Sequence, residues 1–440
     1  MTESMDGISV GLARADITPP VGIPSIGFAA RGPLTRQHDP LLAAALVFVE
    51  GDKKVALLAC DLLGLDDQTV AEVRAAVQAR AGIDPEAVMV TCTHTHYGPD
   101  AFRNRANPVV ESYRANLIHI LAGVTQEALA NVQLASLGVG WSESDIGVNR
   151  REKRPDGQVV LGQNPGGPKD SAVGVLRIDA LDGNPLACLV NFQCHPVSQT
   201  GQIDHISADY PGTMRAAVEQ LTGATCLFVQ GACGDINAVW MEPSYEPART
   251  LGTRLGCEVV RVWEQITPHP ASGLGVVSEV AHLPRMRYGS QENAAALVAE
   301  LEAERQCLER EGVLESHLWW IGLRLERARA ALHSWTDGVL APVEAEIQAL
   351  RVGDLGIVGA PGEIFNQIGV QVKAASPWAD TFFAGYANGY IGYVPTADAY
   401  PDGGYEVTMA CQVDPEAAGI LAERCLGLLN QLVEHRRSVG

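Results

Sequence analysis

Short, continuous apolar runs recur along this chain, and each is followed by a segment of helical period. KKVALLACDLLGL (53–65) precedes DQTVAEVRAAVQARAGI (67–83), and AVMVTCTHTH (87–96) precedes a helical stretch from about Val109 to Val132. PLACLVNFQCHP (185–196) and ATCLFVQGACGD (224–235) are two more such runs. A helix starting near Pro211 lies between them, and another runs from about Glu246 to Thr267. GDLGIVGAPGE (353–363) leads into a helix from roughly Ile364 to Ala375. A strand that is apolar at every position, not at alternate ones, is covered on both faces. The pattern predicts an α/β fold of mixed or parallel β-sheets covered by helices.

Two segments break the rhythm. Residues 140–171 are rich in Gly, Pro and charge, and are expected to form a loop or an irregular β excursion. Residues 290–336 are helical with a break near Gly312, which reads as a helical hairpin inserted on the outside of the α/β body. No internal repeat or low-complexity linker interrupts the 440 residues, so 1–440 is expected to be a single catalytic domain carrying that arm.

Charge excludes some functions. With 32 Lys+Arg against 52 Asp+Glu the formal net charge is -20, which repels phosphate backbones and anionic membranes. Nucleic acid is therefore not the expected partner. No apolar run reaches the ~18–20 residues a membrane helix needs, and stable membrane insertion is not expected. The first twenty residues show no secretory signal, and the ten cysteines form no framework spacing. A cytoplasmic location follows as the expectation, with homo-oligomer formation left open.

The polar residues that interrupt the apolar runs share one position. Asp61, His94, His96, His195, Asp235 and Glu363 each fall at or just past the C-terminal end of a predicted strand, the edge of an α/β sheet where ligands bind. In THTHYGPD (93–100), His94 and His96 are two apart, and on an extended strand both rings would project to one face. Neutral imidazole is a metal ligand and also an acid or base. QCHPVSQ (193–199) puts His195 at a second strand end, VQGACGDINA (229–238) presents Asp235 and Asn237 on a Gly-rich turn, and GAPGEIF (359–365) carries Glu363 at a strand-to-helix junction. NGYIGYVPTADAYPDGGYE (388–406) spreads four tyrosines through a Gly/Pro-rich loop, which is expected to line a binding cleft or to make interface contacts.

With these motifs in order, the chain resembles the catalytic domain of the neutral, non-lysosomal ceramidases. The resemblance runs nearly end to end: GLARADITPP (11–20), THTHYGPD, Asn149–Arg150, CHPVS (194–198), ISADYPG (206–212), GDIN (234–237), VGAPGE (358–363), NGYIGY, and Tyr405–Glu406. It implies a single zinc ion held by His94, His195, Glu363 and Tyr393. It further implies His96 as an active-site neighbour, Arg150 beside it, and Tyr405 against the polar head of the substrate. Three features depart from the family. Asn237 stands where the family has a serine needed for activity, no secretion signal is seen, and Gly440 leaves no room for a C-terminal immunoglobulin-like domain.

The expectation is a zinc-dependent hydrolase that cleaves the C–N bond of a small amide or N-acyl substrate by metal-activated water. His96, Arg150 or Tyr405 would face the developing oxyanion, and His96 would also protonate the leaving amine. Asp235 or Asp61 would orient a ligand histidine. Asn237 donates hydrogen bonds but is no nucleophile. The alternatives are a zinc lactonase or esterase, and a catalytically silent ligand-binding homologue.

Overall fold

The computed structural model describes residues 7–28, 31–102, 107–313 and 315–438, with side chains except at 315–317, 319 and 435–438. Its larger sheet has nine strands. From one edge the order is Thr225–Gln230, Pro185–Phe192, Ala172–Ala180, Gln133–Glu143, Ser9–Asp16, Leu42–Glu50, Lys53–Cys60 and Val88–Cys92, with His269–Pro270 paired to Gln133–Glu143 off this path. A second, four-stranded sheet runs Leu274–Leu283, Val343–Val352, Leu355–Gly359, Asp380–Ala384.

The molecule is layered as helices, large sheet, small sheet, helices. Along Leu42–Glu50 the side chains alternate. Ala43, Ala45 and Val47 join the core under helices Asp67–Ala81, Pro108–Ala130, Asp209–Thr222 and Glu246–Trp263. Ala44, Leu46 and Phe48 join the core between the sheets, together with Leu350, Ile357 and Phe382 of the small sheet. Helices Asn366–Ala375 and Ala417–Ser438 close the other side over Ile347, Ala349 and Val358. Both faces of the central strands are thus dry, so their sequences read as unbroken apolar runs. Each fully buried Leu or Phe contributes roughly 1.5–3 kcal/mol over exposure.

Both sheets are mixed, with antiparallel neighbours in the majority. The parallel pairs in these two sheets are Lys53–Cys60 with Val88–Cys92, Pro185–Phe192 with Thr225–Gln230, and Leu355–Gly359 with Asp380–Ala384. Each pair is joined by a crossover helix, respectively Asp67–Ala81, Asp209–Thr222 and Asn366–Ala375, as parallel pairing requires. The first two units lie at opposite edges of the large sheet. Those edges approach each other, and Gln230 Nε2 donates to the Thr93 carbonyl at 3.1 Å. The C-terminal ends of all three units therefore open onto one place.

The strands stop sooner than their apolar runs suggest. The run at 87–96 is strand only over Val88–Cys92, because the backbone leaves the extended conformation at His94, with φ 66°. The 140–171 excursion is the irregular β expected: Gly147–Lys153 and Val159–Asn164 pair antiparallel with a register shift between Asn149 and Arg151, and Ile236–Ala238 adds to their edge. The arm is the expected hairpin, Gln291–Glu311 and Glu315–Asp337, and it grows from the turn between Leu274–Leu283 and Val343–Val352. All ten cysteines are free, and Cys257 and Cys307 are the exposed ones. No helix of the described residues is long and apolar enough to cross a membrane.

Candidate metal centre

His94 lies two residues past its strand, in a left-handed backbone conformation with φ 66°. Its N–H donates to the Leu62 carbonyl at 2.9 Å, and its ring stacks on Tyr386 with centroids 3.9 Å apart. The alternation of an extended strand is therefore not what aligns His94 with His96; a turn does it, and φ > 0 at a non-glycine residue marks a position held by its surroundings. His96 follows with its ring against the backbone of Gly27. A Cβ at Gly27 would sit 2.7 Å from His96 Nδ1, and φ there is +101°, so the position accepts only glycine. His195 comes from the end of Pro185–Phe192, and Glu363 from a two-residue strand, Glu363–Ile364, parallel to Tyr393–Val394. Gly234 lets the Asp235 turn pass over Glu363, whose carbonyl oxygen would be 2.6 Å from any Cβ there.

Each of the three imidazoles spends its Nδ1–H on backbone. His94 Nδ1 donates to Leu63 O at 2.7 Å, His96 Nδ1 to Gly27 O at 3.0 Å, and His195 Nδ1 to Cys233 O at 2.7 Å. A carbonyl only accepts, so each Nδ1 carries a proton, and in the neutral ring Nε2 is then the atom with the bare lone pair. These lone pairs converge. His94 Nε2 and His96 Nε2 are 3.2 Å apart, and Glu363 Oε2 is 3.0 Å from His195 Nε2 and 3.6 Å from His94 Nε2. Ligands bound tetrahedrally at 2.0–2.1 Å stand roughly 3.3–3.4 Å apart, so the spacing matches a shared ion. Among the described residues His94, His96 and His195 form the group of three nitrogen donors, all within 4.8 Å of one another.

The electrostatics favour a cation. Burial, then the charge of Arg150, pulls the His195 pKa down to about 4. Burial and the neighbouring His94 take His96 well below its ordinary 6.5. Burial pushes Glu363 up, but His94 and His195 outweigh it and hold the carboxyl well below the usual range. Imidazole nitrogens and a carboxylate oxygen, buried together, form a borderline N/O donor set of the kind that holds a divalent ion.

Arg150 is the hub around these groups and is 4% exposed. Its Nε donates to Glu406 at 2.8 Å, its Nη2 to the Tyr393 hydroxyl at 2.7 Å, and its Nη1 to Asn237 Oδ1 at 3.1 Å; Nη1 is also 3.3 Å from His195 Nε2. The β excursion makes this possible, since Ile236 and Asn237 pair in register with Asn149 and Val148. Tyr405 packs edge-on to Tyr393, and burial pushes its phenol up to about 12.

Sequence reasoning brought His94, His96, His195, Glu363, Arg150, Asn237, Tyr393 and Tyr405 to one place, but two details differ. Asp235 and Asp61 do not orient a histidine. Asp235 accepts from Asn149 Nδ2 and the Asn366 N–H, and Asp61 pairs with Arg215 beneath the helices. Backbone carbonyls hold the rings instead, and no side-chain pattern announces a carbonyl. Tyr390 was not singled out, yet its hydroxyl donates to Glu363 Oε1 and turns Oε2 toward the histidines. It belongs to NGYIGY, as Tyr393 does; Tyr400 in the same loop instead donates to Val413 O and contacts Cys411 Sγ at 3.4 Å.

The sequence matches no family model. Two solved structures superpose over 98% of this chain at 20% identity. One is the neutral ceramidase from Pseudomonas aeruginosa, with TM-score 0.73 over 75% of that chain. The other is a ceramidase complexed with C2, with TM-score 0.74 over 76% of that chain. At this identity the agreement shows the fold: the chain has the ceramidase fold that its motifs resemble.

Proposed function

We propose that this chain is a zinc-dependent hydrolase of an amide-like C–N bond, working as one catalytic unit on a compact N-acyl substrate. One observation carries the reading. Three Nε2 lone pairs and one carboxylate oxygen converge in a buried spot, with every Nδ1–H already committed to backbone. His94, His195 and Glu363 are assigned as ligands, with the Tyr393 hydroxyl as the fourth, and His96 as the acid and base. The resemblance to ceramidases supports this division. These residues would hold a divalent ion, which when bound would supply a water of lowered pKa and a polarised carbonyl.

The surrounding residues do the rest. His96 Nε2, free of a proton, takes one from water and delivers it to the departing amine nitrogen. Arg150 and the Tyr405 hydroxyl stand ready to donate to the oxygen on which charge develops. Asn237 fills the position of the family serine. Arginine only donates, so the Asn237 atom facing Nη1 is the oxygen, and the NH2 group turns toward Met241 Sδ. A carboxamide there is bulkier than serine and supports a small acyl compound over long-chain ceramide.

The test is elemental analysis of fresh protein, followed by hydrolysis of short N-acyl amides, matched esters or lactones, and long-chain ceramide, each with and without chelator. About one zinc per chain and chelator-sensitive cleavage of short amides is the expected result. Absence of metal, or turnover indifferent to chelation, overturns the reading; preference for ester or lactone reassigns the bond; robust ceramide cleavage refutes the compact substrate.

A further inference from the structure

The helical arm meets the body at a small cavity lined in part by two arginines. Arg324 and Arg327 of helix Glu315–Asp337 line it with Tyr288, Thr408, Met409 and Cys411, and its volume is about 10 Å³, room for roughly one water-sized particle. Arg285 is a third guanidinium within electrostatic reach of Tyr288. Arg285 spends its donors on neutral groups, Gln412 Oε1 at 2.7 Å and the Ala341 carbonyl at 3.1 Å. The acid nearest Arg324, Glu304, is 3.7 Å away.

Arg327 Nη1 is buried and has no hydrogen-bond partner among the described residues. After burial, the groups that act on it most are Tyr288, Arg285, Cys411 and Tyr390; the carboxylates of the cluster are Glu304, 3.7 Å from Arg324, and Glu326, which acts on Arg285. Burial pushes Tyr288 and Cys411 up, so both stay neutral. A guanidinium does not give up its proton at neutral pH, and a buried charge without a counter-charge costs several kcal/mol. Among the described residues no carboxylate is paired with Arg327 itself, which leaves room for a counter-charge from solution. We propose that this cavity binds one small anion of halide size, held by Arg327 Nη1 with Arg324 alongside. The volume is too small for sulfate or phosphate. An anion there joins the arm to the segment 408–411, directly after Tyr405 and Glu406, and gives the insertion a role in fixing that wall of the site.

Crystals of the full chain grown in sodium bromide test this by anomalous scattering. A bromide peak at Arg327 Nη1 is expected, and water alone in the cavity overturns the proposal. In solution, thermal unfolding is followed in sodium chloride against sodium gluconate at equal ionic strength. The wild-type Tm should rise saturably with chloride only, and Arg327→Met should abolish that difference. An unchanged chloride response in Arg327→Met also overturns the proposal. If the variant does not fold, the bromide experiment on the wild type decides alone.

Discussion

Glu406→Gln isolates the charge that holds Arg150 in the site. Glu406 is 1% exposed and accepts from Arg150 Nε and Arg151 Nη1, both at 2.8 Å. Gln keeps the volume and one carbonyl acceptor, so the variant removes charge more than shape. Arg150 keeps the Tyr393 hydroxyl and Asn237 Oδ1, which limits its displacement. Breaking a buried pair from one side costs about 3–5 kcal/mol, and the partial exposure of Arg151 places this case near ~3 kcal/mol at pH 7. The dependence on pH has a definite sign. Burial pushes the Glu406 pKa up, but Arg150 and Arg151 prevail and hold it below its ordinary 4.5. A depressed carboxyl contributes its stability in full above the unfolded value and loses it as pH falls through the folded one. The gap between wild type and variant should therefore be constant from pH 7 to about pH 5.5 and shrink below about pH 4.5. Urea unfolding followed by tryptophan fluorescence reads it as a midpoint shift at unchanged slope, up to about 1 M for a slope near 3 kcal/mol/M. A gap under about 1 kcal/mol, or one that does not change with pH, would refute the reasoning and show that Tyr393 and Asn237 suffice to hold Arg150.

The remaining predictions concern the metal and its supports. His94→Ala and His195→Ala should each leave the protein without metal, whereas His96→Ala should keep the metal and lose about 10²–10⁴-fold in turnover; equal metal loss in all three makes His96 a ligand. Tyr390→Phe removes the hydrogen bond that orients Glu363, and a competition titration should show zinc affinity weakened about 10–100-fold with the fold unchanged; undiminished affinity removes Tyr390 from that role. Asp61→Asn breaks the buried pair with Arg215 and should cost about 3–5 kcal/mol without changing metal content, and adding Arg215→Met should recover most of it; loss of metal in Asp61→Asn would return Asp61 to the site.

The layers and the identity of most site residues were legible because both have local signatures. Burial on two faces writes itself into a strand as an unbroken apolar run, and a polar residue at the end of such a run stands out by contrast. His94, His195 and Glu363 were found in that way. Reading the same runs cannot say where pairing ceases, which is why the strand Val88–Cys92 ends before the histidines and why the HTH rings converge through a turn. Composition left 140–171 open between a loop and irregular β, because Gly and charge dominate a hairpin whose order comes from pairing with Ile236–Ala238.

By itself the sequence determined which residue types stand at the ends of the strands, and hence a donor set of imidazoles and a carboxylate on an α/β frame. The tertiary structure alone decided who touches whom within that set. His195 reaches Glu363 across 168 residues and Arg150 reaches Tyr393 across 243. Tyr390 and Tyr393 are three residues apart in one motif, yet one lands on the carboxylate and the other on the guanidinium. No local period encodes such a choice, because it depends on the closure of the large sheet, which brings its two edges and the small sheet to one opening. The ring tautomers were hidden for the same reason. They are set by the carbonyls of Leu63, Gly27 and Cys233, and a backbone carbonyl is present at every residue, so only its position in space makes it a partner.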